Sequence, residues 1–162
     1  MLASGIEPGH GTRDYLIDVS DGASKALTPE GVVGVVPSAD GRNTAVLGPE
    51  GKWAIWTIEP KQSTDGPKPR AVPGLDSNFK VSGWSADGAS LLAVPVRQSN
   101  RTGNVYQVNA VTGKMDLWKT FGDSLPAGTA GIGGSFLAAE GGAYAYHYMQ
   151  TLSQVYVIRG MR

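Results

Sequence analysis

Trp84-Ser85-Ala86-Asp87-Gly88-Ala89-Ser90-Leu91-Leu92-Ala93-Val94 is an apolar approach, a Ser-x-Asp-Gly segment and a second apolar run. Asp-Gly between two strand-forming segments predicts a β-hairpin, because glycine accepts a positive φ and the aspartate carboxylate bonds nearby backbone amides. The same pattern occurs at Ser38-Ala39-Asp40-Gly41, and a weaker copy occurs at Glu140-Gly141-Gly142. The residues predicted to act as structural turn formers are Asp40, Gly41, Asp87, Gly88, Glu140 and Gly141.

Aromatic residues mark a repeat along the chain. Tyr15, Trp56, Tyr106 and Tyr156 each precede a branched apolar residue by two positions. Their spacings are 41, 50 and 50 residues (56−15, 106−56 and 156−106). A period of about 40–50 residues with four strands per unit is typical of a β-propeller. A β-sandwich is the alternative, but it does not predict an acidic-Gly turn at the same place in three successive units.

The repeat predicts an all-β architecture: a β-propeller of four-stranded antiparallel blades, with about four blades in a single array over residues 1–162. The units are a partial blade at 1–28, blades at 32–73 and 79–119, and a partial blade at 132–158. The first unit lacks its innermost strand and the last lacks its outermost strand. The four units either close on themselves or pair with a second chain as a homodimer that completes a ring. The incomplete terminal units favour the homodimer.

The composition limits the classes of partner. Lys+Arg and Asp+Glu each total 14 in 162 residues, so the formal charge is zero and disfavours binding to nucleic acid or an anionic membrane. There is no cysteine, which excludes disulfides and thiolate metal sites. No apolar run reaches the roughly 18–20 residues of a membrane span, and no signal peptide is recognisable. We expect no membrane insertion; the compartment stays open, with the cytoplasm slightly favoured.

No group of residues indicates catalysis. His10 and His147 lack the spacing of metal ligands, the aspartates precede glycines as turn formers, and there is no Gly-x-Ser-x-Gly elbow. We therefore expect no catalytic residue, no metal and no cofactor. The tryptophans are expected to pack between blades, with Trp118 on an outer strand the most exposed. The candidate partner-binding residues are His10, Trp118 and His147, and loops 60–69, 98–103 and 121–130 are the expected places for a partner.

The hairpin stretch, followed by Val105-Tyr106-Gln107-Val108-Asn109 and Thr112-Gly113, resembles the repeat of TolB-like and WD-like propellers of bacteria. Ala39 and Ala86 stand where that repeat usually has proline. A narrower resemblance is to the C-terminal propeller region of eukaryotic-like serine/threonine protein kinases of soil bacteria. It rests on Glu7-Pro8-Gly9-His10-Gly11, Trp118-Lys119-Thr120-Phe121, and Ala143 to Tyr146 with Leu152 to Tyr156.

These resemblances imply a non-catalytic propeller module that binds a protein or peptide, as the sensor or docking region related to a bacterial signalling kinase. The kinase catalytic motifs are absent from this chain, so no enzymatic activity is expected. The alternatives are an accessory propeller of a peptidase or hydrolase, and a TolB-like transport scaffold.

Overall fold

The computed structural model describes residues 1–58, 69–97, 102–122, 125–137 and 143–153, with backbone alone at Val35 and 133–137. Within these residues all regular secondary structure is β, in thirteen strands. They are β1 Leu2–Gly5, β2 Arg13–Ile17, β3 Ser24–Ala26, β4 Val33–Pro37, β5 Asn43–Leu47, β6 Lys52–Thr57, β7 Arg70–Asp76, β8 Phe79–Trp84, β9 Ser90–Pro95, β10 Gly103–Asn109, β11 Met115–Phe121, β12 Thr129–Leu137 and β13 Tyr144–Gln150.

The strands form four antiparallel sheets in chain order. The first sheet is β1-β2-β3, the second β4-β5-β6-β7, the third β8-β9-β10-β11 and the fourth β12-β13. Every neighbour in a sheet is also a neighbour in sequence, so each sheet is an antiparallel meander. The predicted turn at Glu140-Gly141 and the end of the predicted partial blade, 154–158, lie outside the described residues.

The four sheets stack as a row through their first strands. β4 packs against β1 and β2, β8 packs against β4, and β12 packs against β8. Among the described residues the row is open, because no comparable contact returns from β12 to β1. The chain is therefore an all-β stack of antiparallel sheets with two end faces.

Apolar layers lie between successive sheets. The largest cluster joins the second and third sheets, and its members include Trp53, Trp84, Leu91 and Val108. The indole of Trp84 donates to the backbone oxygen of Val36 at 2.7 Å, and that of Trp53 donates to Phe79 at 2.9 Å. Trp53, Trp56 and Trp84 are 5%, 7% and 3% exposed, and Trp53 and Trp84 pack between the second and third sheets as predicted.

The sheet registers correct the aromatic repeat. Asn43 follows one Ser-x-Asp-Gly turn and pairs with Thr57, and Ser90 follows the other and pairs with Asn109. Thr57 and Asn109 are therefore equivalent positions of the second and third sheets. One residue before them, Trp56 matches Val108, and three residues before them, Ala54 matches Tyr106. The prediction that Trp56 and Tyr106 are equivalent is wrong by two positions. The distance in sequence between two aromatic residues includes loops of different length, so it does not identify equivalent positions. The pairing of strands identifies them directly.

Two segments extend further as strands than the sequence suggested. Phe121 to Ala130 was expected to be a loop, but β11 continues through Phe121 and β12 begins at Thr129. β13 extends to Gln150, beyond the predicted strand end at Tyr146. No helix long and apolar enough to cross a bilayer occurs in the described parts of the chain.

Candidate functional site

The Ser-x-Asp-Gly segments form two matching turns. In the first turn, Asp40 Oδ1 accepts from the hydroxyl of Ser38 at 2.6 Å and from the amide of Arg42 at 3.0 Å. In the second, Asp87 Oδ1 accepts from Ser85 at 2.6 Å and from the amide of Ala89 at 2.9 Å. These turns link β4 to β5 and β8 to β9.

The glycines and carboxylates of these turns have distinct roles. Gly41 and Gly88 have φ of 69° and 67°, which L side chains adopt only with strain. The serine hydroxyl is the main cause, and the backbone amide the second, of a lowered pKa at Asp40 and Asp87. Both carboxylates therefore serve the turn in their ionised form.

His10 lies in the loop between β1 and β2, away from the other candidate binding residues. Its Nδ1 is 2.7 Å from Glu30 Oε1, and both side chains are about half exposed. The amide of Gly11 is the largest cause, and His10 the next, of a lowered pKa at Glu30. Beside this pair, Arg13 contacts Glu7 at 2.6 Å. These contacts fasten the loop between β1 and β2 to the segment before β4.

Trp118 is less exposed than the sequence suggested. It lies on the outer strand of the third sheet, as predicted, but its side chain is half-buried and packs against the cluster of Leu92, Val105 and Phe121. The exposed residue beside it is Leu117. The pairing of β11 with β10 shifts between Val105 and Tyr106, which leaves Trp118 as the extra residue of a β-bulge.

An exposed aromatic surface lies where the third and fourth sheets meet. Tyr144, Tyr146 and Tyr148 occupy alternate positions of β13 and are 44%, 37% and 42% exposed. Phe121 at the end of β11 contacts two of them, with ring centroids 5.0 Å from Tyr144 and 5.3 Å from Tyr146. The ammonium of Lys119 lies 3.9 Å from the centroid of the Tyr144 ring. We call these five side chains the tyrosine face.

The tyrosine face includes none of the predicted partner-binding residues directly. His147 is exposed on β13, but alternation places it on the opposite side of that strand from the tyrosines. Trp118 precedes Lys119 on β11, and His10 belongs to the first sheet. The signal that sequence reasoning passed over is the Tyr-x-Tyr-x-Tyr alternation, which places three aromatics on one face of a strand.

The described residues offer little for metal chemistry. No group of three or more His, Asp or Glu side chains is gathered there to hold an ion. The tyrosine face instead presents aromatic rings and hydroxyls, together with one cation. Such a surface binds by stacking and hydrogen bonding.

One solved structure relates the chain to a class of fold. The chain is similar to the crystal structure of TolB from Acinetobacter baumannii, with a TM-score of 0.53 and 16% sequence identity. The likeness covers 86% of this chain and 35% of that one, so the chain spans about a third of the length of the TolB it matches. At this identity the likeness establishes the all-β, TolB-like fold alone. No family model matches the chain, and no curated protein matches it either.

Proposed function

We propose that the chain is a non-catalytic segment of a TolB-like β-propeller, in which the four sheets are blades and an exposed surface binds a protein or peptide. The stacking of β4, β8 and β12 supports this proposal, because the first strands of successive blades line the centre of a propeller. The repeated meander and the likeness to TolB support it as well.

The tyrosine face is the observation that carries the binding role. Tyrosine and tryptophan supply much of the energy of protein interfaces, since they offer large contact area at a low cost in side-chain entropy. The hydroxyls of Tyr144, Tyr146 and Tyr148 make no hydrogen bond within the described structure, so they are free to bond a ligand. Phe121 backs two of the rings and limits their movement.

The charge of the surface suggests the chemistry of the partner. Lys119 forms no ion pair with a carboxylate in the described structure, and β13 itself carries no acid. A partner segment with carboxylates or free carbonyl oxygens would meet both the lysine and the tyrosine hydroxyls. We therefore propose an acidic peptide segment as the ligand.

A peptide selection followed by a variant series tests the proposal. Peptides are selected by display on the purified chain, and the Kd of an enriched peptide is measured by fluorescence anisotropy. Tyr144→Ala combined with Tyr146→Ala should weaken binding by about tenfold or more, as interface tyrosines usually do. Lys119→Met should weaken it less and reduce its dependence on salt.

The matched control is Val111→Ala, which truncates an exposed side chain in the turn between β10 and β11. That variant should bind with the Kd of the original chain. Enriched peptides that bind equally well to the double tyrosine variant would rule out the tyrosine face. A selection that enriches no peptide would argue against the binding role itself.

We further propose that a second copy of the chain completes the ring. Both ends of the open row carry exposed apolar side chains, such as Val19 in the first sheet and Met149 in the fourth. A cavity of about 440 Å³ at the first end is lined in part by Leu16, Ile17 and Val19. Two-fold pairing would cover both ends at once.

Two relationships are proposed for the protein to which this propeller segment belongs. The resemblance at Glu7 to Gly11 and at Trp118 to Phe121 favours a docking region related to a bacterial signalling kinase. The likeness to TolB agrees in fold with the alternative of a TolB-like scaffold. A cytoplasmic location is part of the kinase-related proposal.

A further inference from the structure

Asp14 is a carboxylic acid buried within the first sheet. It is 0% exposed, and it lies in β2 opposite Ser4 of β1. The hydroxyl of Ser4 donates a short hydrogen bond to Oδ1, whereas Oδ2 has no partner in the described structure. A buried carboxylate oxygen without a partner disfavours the ionised form strongly.

The backbone of Asp14 ties β2 to the segment that leads into the second sheet. Its amide donates to Thr28 Oγ1 at 2.9 Å, and that hydroxyl donates to the backbone oxygen of Val32 at 2.8 Å. The backbone oxygen of Asp14 accepts from the amide of Leu27 at 2.8 Å. The buried acid thus stands where the first sheet joins the next one.

Within the described part of the chain, no cation faces the carboxyl group from an element packed against it. On β2 the guanidinium of Arg13 is engaged by Glu7 and Tyr15. The Met1 amine, before β1, bonds the backbone oxygen of Ile17, and the strands β1 and β4 contain no ionisable side chain.

Two further ionisable side chains lie near this part of the sheet, and neither contacts the Asp14 carboxyl group. Lys25 of β3 is exposed and pairs with Leu16. Glu30, in the loop before β4, is held by His10.

The third sheet has an apolar residue at the matching position. Tyr15 pairs with Ala3 in the first sheet, as Tyr106 pairs with Ala93 in the third. By these registers Asp14 corresponds to Val105, which is 1% exposed. Burial is the main cause of a raised pKa at Asp14, and the Ser4 hydrogen bond opposes it in part.

We propose that Asp14 is a proton-operated latch of the first sheet: the neutral acid keeps β1 and β2 closed, and loss of its proton to solvent opens them. Ser4 is exposed, so a small outward movement of β1 lets water reach the carboxylate. The device is separate from the tyrosine face, and neither proposal depends on the other.

The direction of the pH effect follows from the raised pKa. The unfolded or opened chain ionises at the ordinary aspartate pKa, whereas the closed sheet keeps its proton to a higher pH. The closed state is therefore most favoured below the ordinary value. It loses that advantage as the pH rises toward the raised pKa of the closed sheet.

Hydrogen exchange read residue by residue measures the opening. The amide of Ile17 in β2 donates to the backbone oxygen of Met1, directly before β1, at 2.7 Å, so its protection, corrected for intrinsic rates, reports on whether β1 and β2 stay paired. Between about pH 3 and 8, protection should fall by up to about tenfold per pH unit within the interval between the two pKa values. In Asp14→Asn this fall should be absent, because the amide cannot ionise.

Asp18→Asn is the matched control, since Asp18 is exposed and Ser20 lowers the pKa of its carboxyl. That variant should keep the fall in protection. A carboxyl ¹³C titration of the original chain decides the matter even if Asp14→Asn fails to fold. A pKa for Asp14 at or below the ordinary aspartate value, or the same fall in protection in Asp14→Asn, would overturn the latch.

Discussion

One carboxylate oxygen of Asp87 accepts two hydrogen bonds, one from the hydroxyl of Ser85 and one from the backbone amide of Ala89. All of these partners lie within five residues, and the same set recurs at Asp40. Such bonds are local, so they organise the turn before any contact between sheets has formed. The turn is therefore a property of the sequence segment itself.

Asp87→Ala should lower the midpoint of thermal unfolding by a few degrees at most near neutral pH. The pKa of Asp87 is lowered in the folded chain, so its contribution is present above the ordinary aspartate value and disappears as the pH falls through the lowered one. The difference between the two proteins should therefore shrink as the solution is made more acidic than the ordinary aspartate pKa. Asp116→Ala, at an exposed pair with Lys114, is the control and should change little.

Residue by residue, the sequence predicts what depends on neighbours in the chain and not what depends on distant ones. Asp87-Gly88 could be predicted as a turn because the hydrogen bonds are local. The burial of Asp14 could not be predicted from the sequence. Arg13-Asp14-Tyr15 has the pattern of a mixed polar strand, and the burial depends on the second sheet, which covers one face of that strand. The tyrosine face needed the contact of Phe121 with β13, which the sequence does not contain.

At the scale of elements, tryptophans join the second and third sheets. The indole N–H of Trp84 bonds Val36 in β4, so one side chain of the third sheet satisfies a backbone group of the second. Trp53 makes the reverse connection to Phe79 of β8. These bonds fix the relative orientation of the two sheets. Hydrogen bonds are directional, so they specify this orientation more closely than apolar contact does.

Trp84→Phe should destabilise the chain by about 1–3 kcal/mol more than Trp56→Phe, as measured by urea unfolding. Both tryptophans are buried, but the indole of Trp56 has no hydrogen bond in the described structure, so its replacement removes apolar area alone. The change at Trp84 also removes the hydrogen bond that its indole donates to the backbone oxygen of Val36. Equal losses for the two variants would mean that the indole bond contributes nothing.

Strand ends were predicted less well than strand centres. Lys119 and Thr120 are polar, yet β11 continues through them because Val105 and Asn104 of β10 are their pairing partners. In the same way Thr129 joins β12 by pairing with Gln150. Partners that lie about 15–20 residues away determine where these strands end, and periodicity within a strand does not report them.

For the whole molecule, the repeat and the meander order could be inferred from turns spaced along the chain, and the TolB-like fold agrees with that inference. Whether the row of four sheets closes into a ring could not be inferred, because closure depends on surfaces at opposite ends of the chain. The central proposal is that the sheets are propeller blades and that a second copy covers both end faces.

Light scattering coupled to gel filtration tests this proposal most directly. The account predicts a monodisperse species with twice the mass of one chain and little binding of a hydrophobic dye, because pairing covers the apolar ends. A monodisperse species with the mass of a single chain would contradict the paired ring. If that species also fails to bind the dye, the four units close on themselves.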